Sequence, residues 1–275
     1  MTYHYPTDLA SALDIAARSA SKIVAGGTDV YPSQRQGERP EFYLDVTRIA
    51  NFSGITQNGA SYRIGAATTW TDIVKTELPP AFDALKQAAL KVGSIQIQNA
   101  GTIAGNICNA SPAADGVPPL MALDAQIELV SSERGTRVLP LAKFIQGVRQ
   151  TALAADELVS AIIIPPQPDG AGSAFEKLGS RKYLVISISM VAAIITRDEG
   201  GLVSDARVSV GSCSPVAMRL YQLERDMIGK RPEEIEVTHG HLSPLSPITD
   251  VRGSGEYRLD VVSAQCERAI RRACI

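Results

Sequence analysis

The sequence predicts an α+β protein built of two parts, and three observations support this. At 275 residues, the chain is longer than the size at which a single hydrophobic core usually stops growing. Strand-like and helix-like segments are mixed in both halves, which indicates the class without fixing the strand order. The segment PPQPDGAG at 165–172 prevents either element type from continuing, so we place the boundary between the two parts there.

The first part begins with a predicted helix. Thr7 and Asp8 can cap it, and Leu9, Leu13 and Ala16 recur at helical spacing. The other segments are identified by runs of apolar residues bounded by proline, glycine or polar residues. They are predicted strands at 21–24, 42–46, 62–66, 124–131, 137–141 and 157–164, and a predicted helix at 79–92.

The second part contains three more predicted strands, at 173–178, 188–197 and 206–212. A helix is expected over 215–228, with Pro215 in its first turn. A last helix is expected from about Glu256, because apolar residues there recur at spacings of three and four.

Composition limits the class of protein. With 45% hydrophobic residues, 20% charged residues and a net charge of -2, the chain is an ordinary globular protein, not basic enough to attract nucleic acid. The N-terminus lacks the charged start and apolar run of a signal peptide. The longest apolar stretch, 183–196, is too short to span a membrane and predicts a buried strand. We therefore expect a cytoplasmic protein.

Cysteine and histidine spacing argues against a metal site in this chain. The four cysteines form no CxxC pair, and we expect buried or half-buried thiols at Cys213, Cys266 and Cys274. His239 and His241 form an HxH pair without a third ligand, which favours solvated loop residues. There is no GxSxG motif, so the sequence predicts no catalytic triad.

The first glycine-rich segment, Ala25 to Asp29, follows a predicted strand. Glycine permits positive φ and close approach, so successive backbone amides there can form an anion site suited to a phosphate or pyrophosphate. A tight turn that binds nothing is the alternative. Neither GxGxxG nor GxxxxGK[ST] occurs, so a Rossmann site is disfavoured and a P-loop is excluded.

The second glycine-rich segment, Gly101 to Asp115, is a run of small and apolar residues interrupted by polar ones. The small residues let a flat ligand lie against the backbone, and the polar ones can bond ribose, pyrophosphate or a ring edge. Those polar residues are Thr102, Asn106, Asn109, Ser111 and Asp115. A turn-rich entry into a helix is the alternative.

Five segments together resemble the FAD-binding (medium) subunit of molybdenum hydroxylases of the xanthine dehydrogenase and carbon monoxide dehydrogenase family. They occur in the family's order and cover nearly the whole chain, and the two glycine-rich segments are the most specific. The segments are IVAGGTDV at 23–30, GTIAGNICNASPAAD at 101–115, DELVSAIIIP at 156–165, and the stretches 173–194 and 253–270.

The resemblance implies a vanillyl-alcohol-oxidase-type FAD-binding domain over 1–166, with two lobes at about 1–55 and 56–166 and the cofactor between them. A smaller C-terminal α+β domain with an antiparallel sheet would follow over 172–275.

Carried over residue by residue, the resemblance implies a set of FAD-binding positions. Those expected to wrap the pyrophosphate and ribitol, mostly through backbone amides, are Ile23, Val24, Ala25, Gly26, Gly27, Thr28, Asp29 and Val30. Those expected to meet the pyrophosphate from the opposite lobe are Thr102, Ala104, Gly105, Asn106 and Cys108. Ser111 and Asp115 would bond nearby polar atoms of the cofactor. Those expected beside the adenine or the flavin are Val92, Gly93, Leu158, Val159 and Lys177.

Two of these positions raise questions. Many relatives have Gly-Gly where this chain has Ala104-Gly105, and the extra methyl would crowd the pyrophosphate unless the φ of Ala104 is negative. Lys177 near the flavin would favour its anionic reduced form by Coulomb attraction. An exposed strand lysine is the alternative. This chain also lacks the cysteines of the iron–sulfur insertion that some relatives carry.

The resemblance implies an oxidoreductase subunit that is active only in a complex. A large molybdopterin-binding subunit would oxidise the substrate, and a small subunit with [2Fe-2S] clusters would pass the electrons to FAD here, in a heterotrimer or its dimer. NAD, a quinone and oxygen remain open as acceptors, and the substrate is open as well. The rival hypotheses are a stand-alone flavin oxidase and a scaffold subunit that has lost the cofactor.

Overall fold

The computed structural model describes residues 1–34, 40–182 and 184–274. The chain begins with a three-stranded parallel sheet in which β3 lies between the other two strands. Its strands are β1 (Thr2–His4), β2 (Lys22–Val24) and β3 (Phe42–Asp45), and helix α1 (Leu9–Arg18) joins the first two. The Asp8 carboxylate caps α1 by accepting from the backbone N–H of Ser11 at 2.9 Å, as the sequence predicts.

A five-stranded antiparallel sheet follows, in the order β4-β5-β10-β6-β7. Its strands are β4 (Ile55–Asn58), β5 (Ser61–Gly65), β6 (Gln126–Ser131), β7 (Gly135–Pro140) and β10 (Leu158–Ile164). The long connection from β5 to β6 is helical. It contains α2 (Trp70–Lys75), a 3-10 turn at Pro80–Phe82, α3 (Asp83–Ala89), α4 (Ile95–Ala100), α5 (Ile103–Asn109) and α6 (Val117–Ala122). Between β7 and β10 lie α7 (Leu141–Phe144) and the hairpin of β8 (Ile145–Gly147) and β9 (Gln150–Thr151).

The remaining chain forms a four-stranded antiparallel sheet covered by helices. The strands, in spatial order, are β11 (Gly172–Leu178), β12 (Ser189–Arg197), β13 (Val203–Gly211) and β14 (Met218–Arg219). The helical elements are α8 (Tyr221–Met227), a 3-10 turn at Pro232–Glu234, α9 (His239–Leu242) and α10 (Gly255–Ala273).

This last sheet is buried on both faces, and strand β12 shows why. Its side chains alternate between two hydrophobic cores, as a strand with two covered faces requires. Met190, Ala192 and Ile194 belong to the core shared with the first two sheets, whereas the side chains between them pack into a second core with α10. The sheet is therefore packed directly against the elements that form the candidate site described below.

One predicted helix is wrong in its start. The structure has no helix from Pro215, because Met218 and Arg219 form strand β14 and pair with Val210 and Ser209. Helix α8 begins only at Tyr221. Pairing with β13 makes this segment a strand, and no local pattern in the sequence predicts that pairing.

The longest apolar stretch forms a strand where it was expected, but a shorter one. The predicted segment 183–196 becomes β12, which starts at Ser189; Tyr183 lies outside the described residues. Cys213 and Cys266 are buried and Cys274 is half-buried, as predicted. Among the described residues, no helix combines the length and the apolarity needed to cross a bilayer.

Candidate cofactor site

A cavity of about 720 Å³ lies where four parts of the fold meet. They are the parallel sheet, the helical connection, strand β10 and the connection between β11 and β12. Pockets for cofactors and drug-sized ligands occupy about 300–1,000 Å³, so this volume suits a nucleotide cofactor. The cavity contains nearly all the predicted FAD-binding positions. The predicted residues that line it are Ile23, Ala25, Gly26, Gly27, Thr28, Asp29, Val30, Val92, Gly93, Thr102, Ala104, Gly105, Asn106, Cys108, Ser111, Asp115, Leu158 and Val159.

The remaining two predicted positions, Val24 and Lys177, do not line the cavity. Val24 is 2% exposed at the end of β2, and its carbonyl accepts from the backbone N–H of Val46 at 3.0 Å. Lys177 is not a lining residue, but it pairs with Asp115, which does line the cavity.

The two glycine-rich segments pack against each other. A Cβ atom on Gly26 would lie 1.8 Å from the carbonyl oxygen of Ala100, a distance that no side chain could tolerate. Gly101 is also close to its surroundings, since a Cβ there would lie 2.9 Å from the Ile97 carbonyl oxygen and 3.5 Å from Thr28 Oγ1. Glycine is therefore required here to bring the two segments together along one side of the cavity.

The first segment offers backbone donors to the cavity. Within the described residues, the N–H groups of residues 26–30 donate to no acceptor. Gly27 has φ +67°, the left-handed conformation that glycine adopts readily, and its carbonyl accepts from the N–H of Tyr31. Successive free amides in such a turn form a concave site for an anion. This arrangement fits the diphosphate of a dinucleotide.

The second segment uses its first amides within the protein. The N–H groups of Ile103, Ala104 and Gly105 donate to Thr68 O, Ala66 O and the N-cap hydroxyl of Thr102 at 3.0, 3.2 and 3.1 Å. This segment therefore offers the cavity its exposed Gly105 backbone and its side chains. It is a helix entry that also lines the cavity, so the two interpretations left open by the sequence are compatible.

Ala104 does not obstruct the cavity through its backbone. It lies within α5 and is absent from the residues with positive φ, so its φ has the negative sign that the sequence required. Its methyl group is buried. Beside it, Asn106 Oδ1 is buried without a hydrogen-bond partner among the described residues, as expected of a polar atom whose partner is a ligand.

A buried ion pair supports the part of the cavity wall that Asp115 forms. Lys177 Nζ lies 2.7 Å from Asp115 Oδ2 and donates to the Lys91 carbonyl at 3.1 Å, and Ser187 Oγ donates to Asp115 Oδ1 at 2.6 Å. The side chains of Lys177 and Asp115 are 8% and 9% exposed, so the exposed-lysine alternative is wrong. Burial raises the pKa of Asp115, against the opposing effect of the Lys177 ammonium.

Strand β10 brings Leu158 and Val159 to the cavity, and the preceding Glu157 anchors its start. Arg137 donates to both carboxylate oxygens of Glu157 at 2.7 and 2.8 Å, and the N–H of Ala154 donates to it at 2.9 Å. These hydrogen bonds from Arg137 hold the pKa of Glu157 below its ordinary value of 4.5, against the opposing effect of burial.

Replacing Glu157 with glutamine is expected to lower the free energy of unfolding at neutral pH by about 1.5–3 kcal/mol, the usual value of hydrogen bonds to a charged group. A depressed folded-state pKa adds stability that is present above the ordinary value of 4.5 and is lost as the pH falls through the folded value. Urea denaturation should therefore show the difference between wild type and Glu157→Gln shrinking in acid. Glu133→Gln, at an exposed turn, should show no difference at any pH.

The sequence interpretation missed several lining residues. Arg149 comes from the tip of the β8–β9 hairpin, Trp70 from the start of α2, and residues 184–186 from the connection between β11 and β12. Residues 184–186 lie within a segment that carries the family resemblance, but no residue type there indicates contact with a ligand. Trp70 packs closely against the second glycine-rich segment and its surroundings: a Cβ on Gly116 would lie 2.4 Å from its ring. That contact is visible only in the structure.

The histidine prediction is wrong for His241, whereas Cys108 lies where it was expected. His241 is not a solvated loop residue: it is 8% exposed, lies in α9, and its ring contacts Asp226 at 3.0 Å and the N–H of Thr238 at 3.0 Å. Cys108 lines the cavity, and burial raises the pKa of its thiol to about 12. A raised thiol pKa keeps Cys108 in the protonated form, which disfavours nucleophilic chemistry at this position.

Comparison with known proteins places this geometry in context. Residues 1–167 match the family model described as the FAD binding domain in molybdopterin dehydrogenase, and residues 173–273 match the CO dehydrogenase flavoprotein C-terminal domain. The xanthine dehydrogenase FAD-binding subunit of Escherichia coli O157:H7 is 31% identical, over 99% of this chain and 95% of that protein. The carbon monoxide dehydrogenase medium chain of Hydrogenophaga pseudoflava is 27% identical, over 98% and 96%.

Solved structures share the fold. A chain of the reconstituted CO dehydrogenase from Oligotropha carboxidovorans superposes with a TM-score of 0.90 at 27% identity, over 100% of this chain and 97% of that one. The two-lobed FAD-binding fold followed by a C-terminal domain with an antiparallel sheet is thus confirmed.

Proposed function

We propose, from the premise that this chain belongs to the family of FAD-binding domains of molybdopterin dehydrogenases, that it relays electrons through an FAD held in the cavity. Family membership establishes an FAD-binding subunit of the molybdenum hydroxylase type. The proposal adds where the cofactor binds and what the subunit does with it.

The arrangement of the two glycine-rich segments carries the proposal. A turn whose amides at 26–30 have no acceptor in the described part of the chain lies against a segment whose small residues leave its backbone open to the same cavity. An anion such as a diphosphate would satisfy these donors at once. Asn106 Oδ1 supplies a buried acceptor that has no partner among the described residues.

FAD, when bound, supplies the electron-accepting and electron-donating chemistry that no side chain of this site provides. The chain's own residues bind and orient it. The amides of 26–30 would hold the diphosphate, while the apolar side chains of Leu158 and Val159 would exclude water from the part of the cavity that they line. The ammonium of Lys177 lies 2.7 Å from Asp115, whose carboxylate offsets its charge, so the pair would stabilise the part of the wall that Asp115 forms.

We further propose the partners and the boundaries. Electrons would come from [2Fe-2S] clusters of a small subunit, after substrate oxidation at a molybdopterin centre in a large one, and would leave to NAD or another acceptor. The CO dehydrogenase relative is named a medium chain, which supports an assembly of several subunits, such as a heterotrimer or its dimer. The FAD-binding domain would comprise 1–166 and the C-terminal domain 172–275.

The proposal is tested in two steps. The purified chain should be yellow, or should become so on incubation with FAD, and should show no turnover alone with xanthine, aldehydes or carbon monoxide. The complex isolated from its native source should contain molybdenum, iron and FAD in one particle.

Each rival predicts a different result. Turnover by the isolated chain would favour a stand-alone flavin oxidase. A colourless chain that cannot be reconstituted, in a complex that still contains molybdenum and iron, would favour a scaffold subunit without the cofactor.

A further inference from the structure

We propose that Asp29, Asn109 and Arg149 form a clasp that locks the two glycine-rich segments in their cofactor-binding arrangement and so controls how tightly FAD is held. The inference rests on the proposed function. It assigns a positioning role to three side chains that come from three separate segments, and all three residues line the cavity.

The clasp is a chain of hydrogen bonds. Asn109 Nδ2 donates to Asp29 Oδ2 at 3.0 Å, which joins the end of α5 to the first glycine-rich segment. On its other side, Arg149 Nη1 donates to the Asn109 side-chain oxygen and, at 3.1 Å, to its backbone oxygen. The amide of Asn109 is thus used as donor and acceptor at once, because its NH2 group donates while its oxygen accepts.

The backbone holds Arg149 in place for this contact. It sits at the tip of the β8–β9 hairpin with φ +58°, a conformation rare outside glycine and asparagine. Its N–H donates to the carbonyl of Ala110 at 2.9 Å, and Ala110 is itself left-handed at φ +46° where α5 ends. Two residues in a costly conformation meet at one contact, which indicates that the surrounding structure favours this junction.

Charge gives the clasp its consequence for the ligand. Asp29 belongs to the turn whose free amides suit an anion, and its carboxylate would repel a diphosphate there. The hydrogen bond to Asn109 turns one carboxylate oxygen toward α5. The guanidinium of Arg149, on the far side of the same amide, offsets the negative charge. The clasp thus holds the two segments together and also reduces repulsion at the anion site.

The test is a set of substitutions read out by FAD affinity and dissociation rate in the full chain. Asn109→Ala removes the side-chain links to Asp29 and Arg149 without changing charge, and leaves only the bond from Arg149 to the backbone oxygen, so we expect FAD to bind about tenfold more weakly. Arg149→Gln, at an exposed hairpin tip, should weaken binding similarly. Because the three residues act as a unit, the double variant should bind no more weakly than the worse single variant.

A charge exchange separates the clasp from simple charge effects. Asn109→Asp alone places two carboxylates side by side and should weaken FAD binding. Combining it with Asp29→Asn restores the donor and acceptor pattern, with Arg149 now facing a carboxylate, and should bring affinity back to within about threefold of wild type. Asn58→Ala and Asn58→Asp, at an exposed hairpin turn, are matched controls that should not change FAD binding.

The unfolding temperature of each FAD-free variant shows whether a substitution merely destabilises the fold. Wild-type FAD affinity in Asn109→Ala and Arg149→Gln would overturn the clasp. So would a charge exchange that restores no affinity, or a double variant whose loss of affinity equals the product of the two single losses. Affinity losses that merely follow the unfolding temperature would overturn it too. A wild-type chain that does not bind FAD at all would instead reject the proposed function itself.

Discussion

Replacement of Gly105 with leucine is expected to weaken FAD binding at least about a hundredfold while leaving the fold intact. Gly105 lines the cavity and is exposed in the first turn of α5. A Cβ atom there would lie 2.9 Å from Thr102 Oγ1, so that hydroxyl must shift slightly, and the rest of the leucine side chain would extend into the space that the cofactor needs. Titration with FAD, followed by flavin fluorescence, measures the effect.

Gly240→Leu is the matched control for this substitution. Gly240 is also an exposed glycine in the first turn of a short helix, and its nearest neighbour would again be a threonine hydroxyl, Thr238 Oγ1 at 3.6 Å. Both changes replace a helical glycine, and the higher helix propensity of leucine should favour each helix by about 1 kcal/mol of free energy. Unchanged FAD affinity in Gly105→Leu would show that the cofactor does not lie against α5.

Lys177→Met is expected to lower the free energy of unfolding of the FAD-free protein by about 3–5 kcal/mol, because it leaves the buried Asp115 carboxylate without its cation. Burial already raises the pKa of Asp115, so the lone carboxyl would take up a proton more readily. The loss should therefore be greater at about pH 8 than at about pH 5. Urea denaturation at the two pH values measures it.

The double variant Asp115→Leu with Lys177→Met tests the cause. Removing both charges should recover about 2 kcal/mol or more of the single loss, because no buried charge then remains unpaired. Lys143→Met, an exposed lysine on α7, should change stability by less than about 0.5 kcal/mol. A double variant as unstable as Lys177→Met would mean that packing, and not the ion pair, stabilises this wall.

Local signals in the sequence predicted most of the elements and the core of the site. The Asp8 cap, the glycine turn after β2 and the strand that carries Leu158 depend on short-range chemistry, so the residues involved lie next to one another in the chain. The first glycine-rich segment is interpreted as an anion site from the same kind of signal, and that interpretation stays a prediction. That the two glycine-rich segments touch each other, at Gly26 and Gly101, is a fact of the fold that spacing does not contain.

The parts of the site that escaped prediction are those formed by long-range packing. Arg149 reaches the cavity only because a hairpin tip folds onto the end of α5, and residues 184–186 reach it because the last sheet packs against the first part. The segment after Pro215 became a strand for a similar reason, since its partner is β13. His241 looked solvated in sequence, but Asp226 of a neighbouring helix covers it.

Amide hydrogen exchange of the chain with and without FAD probes the proposed diphosphate site directly. We expect the amides of residues 26–30, which donate to no acceptor among the described residues, to exchange much more slowly once FAD is added. Amides at the exposed turns around Gly59 and Gly135 should be unaffected. Tight FAD binding without slower exchange at 26–30 would show that the diphosphate binds elsewhere, and would contradict its placement at the first glycine-rich segment.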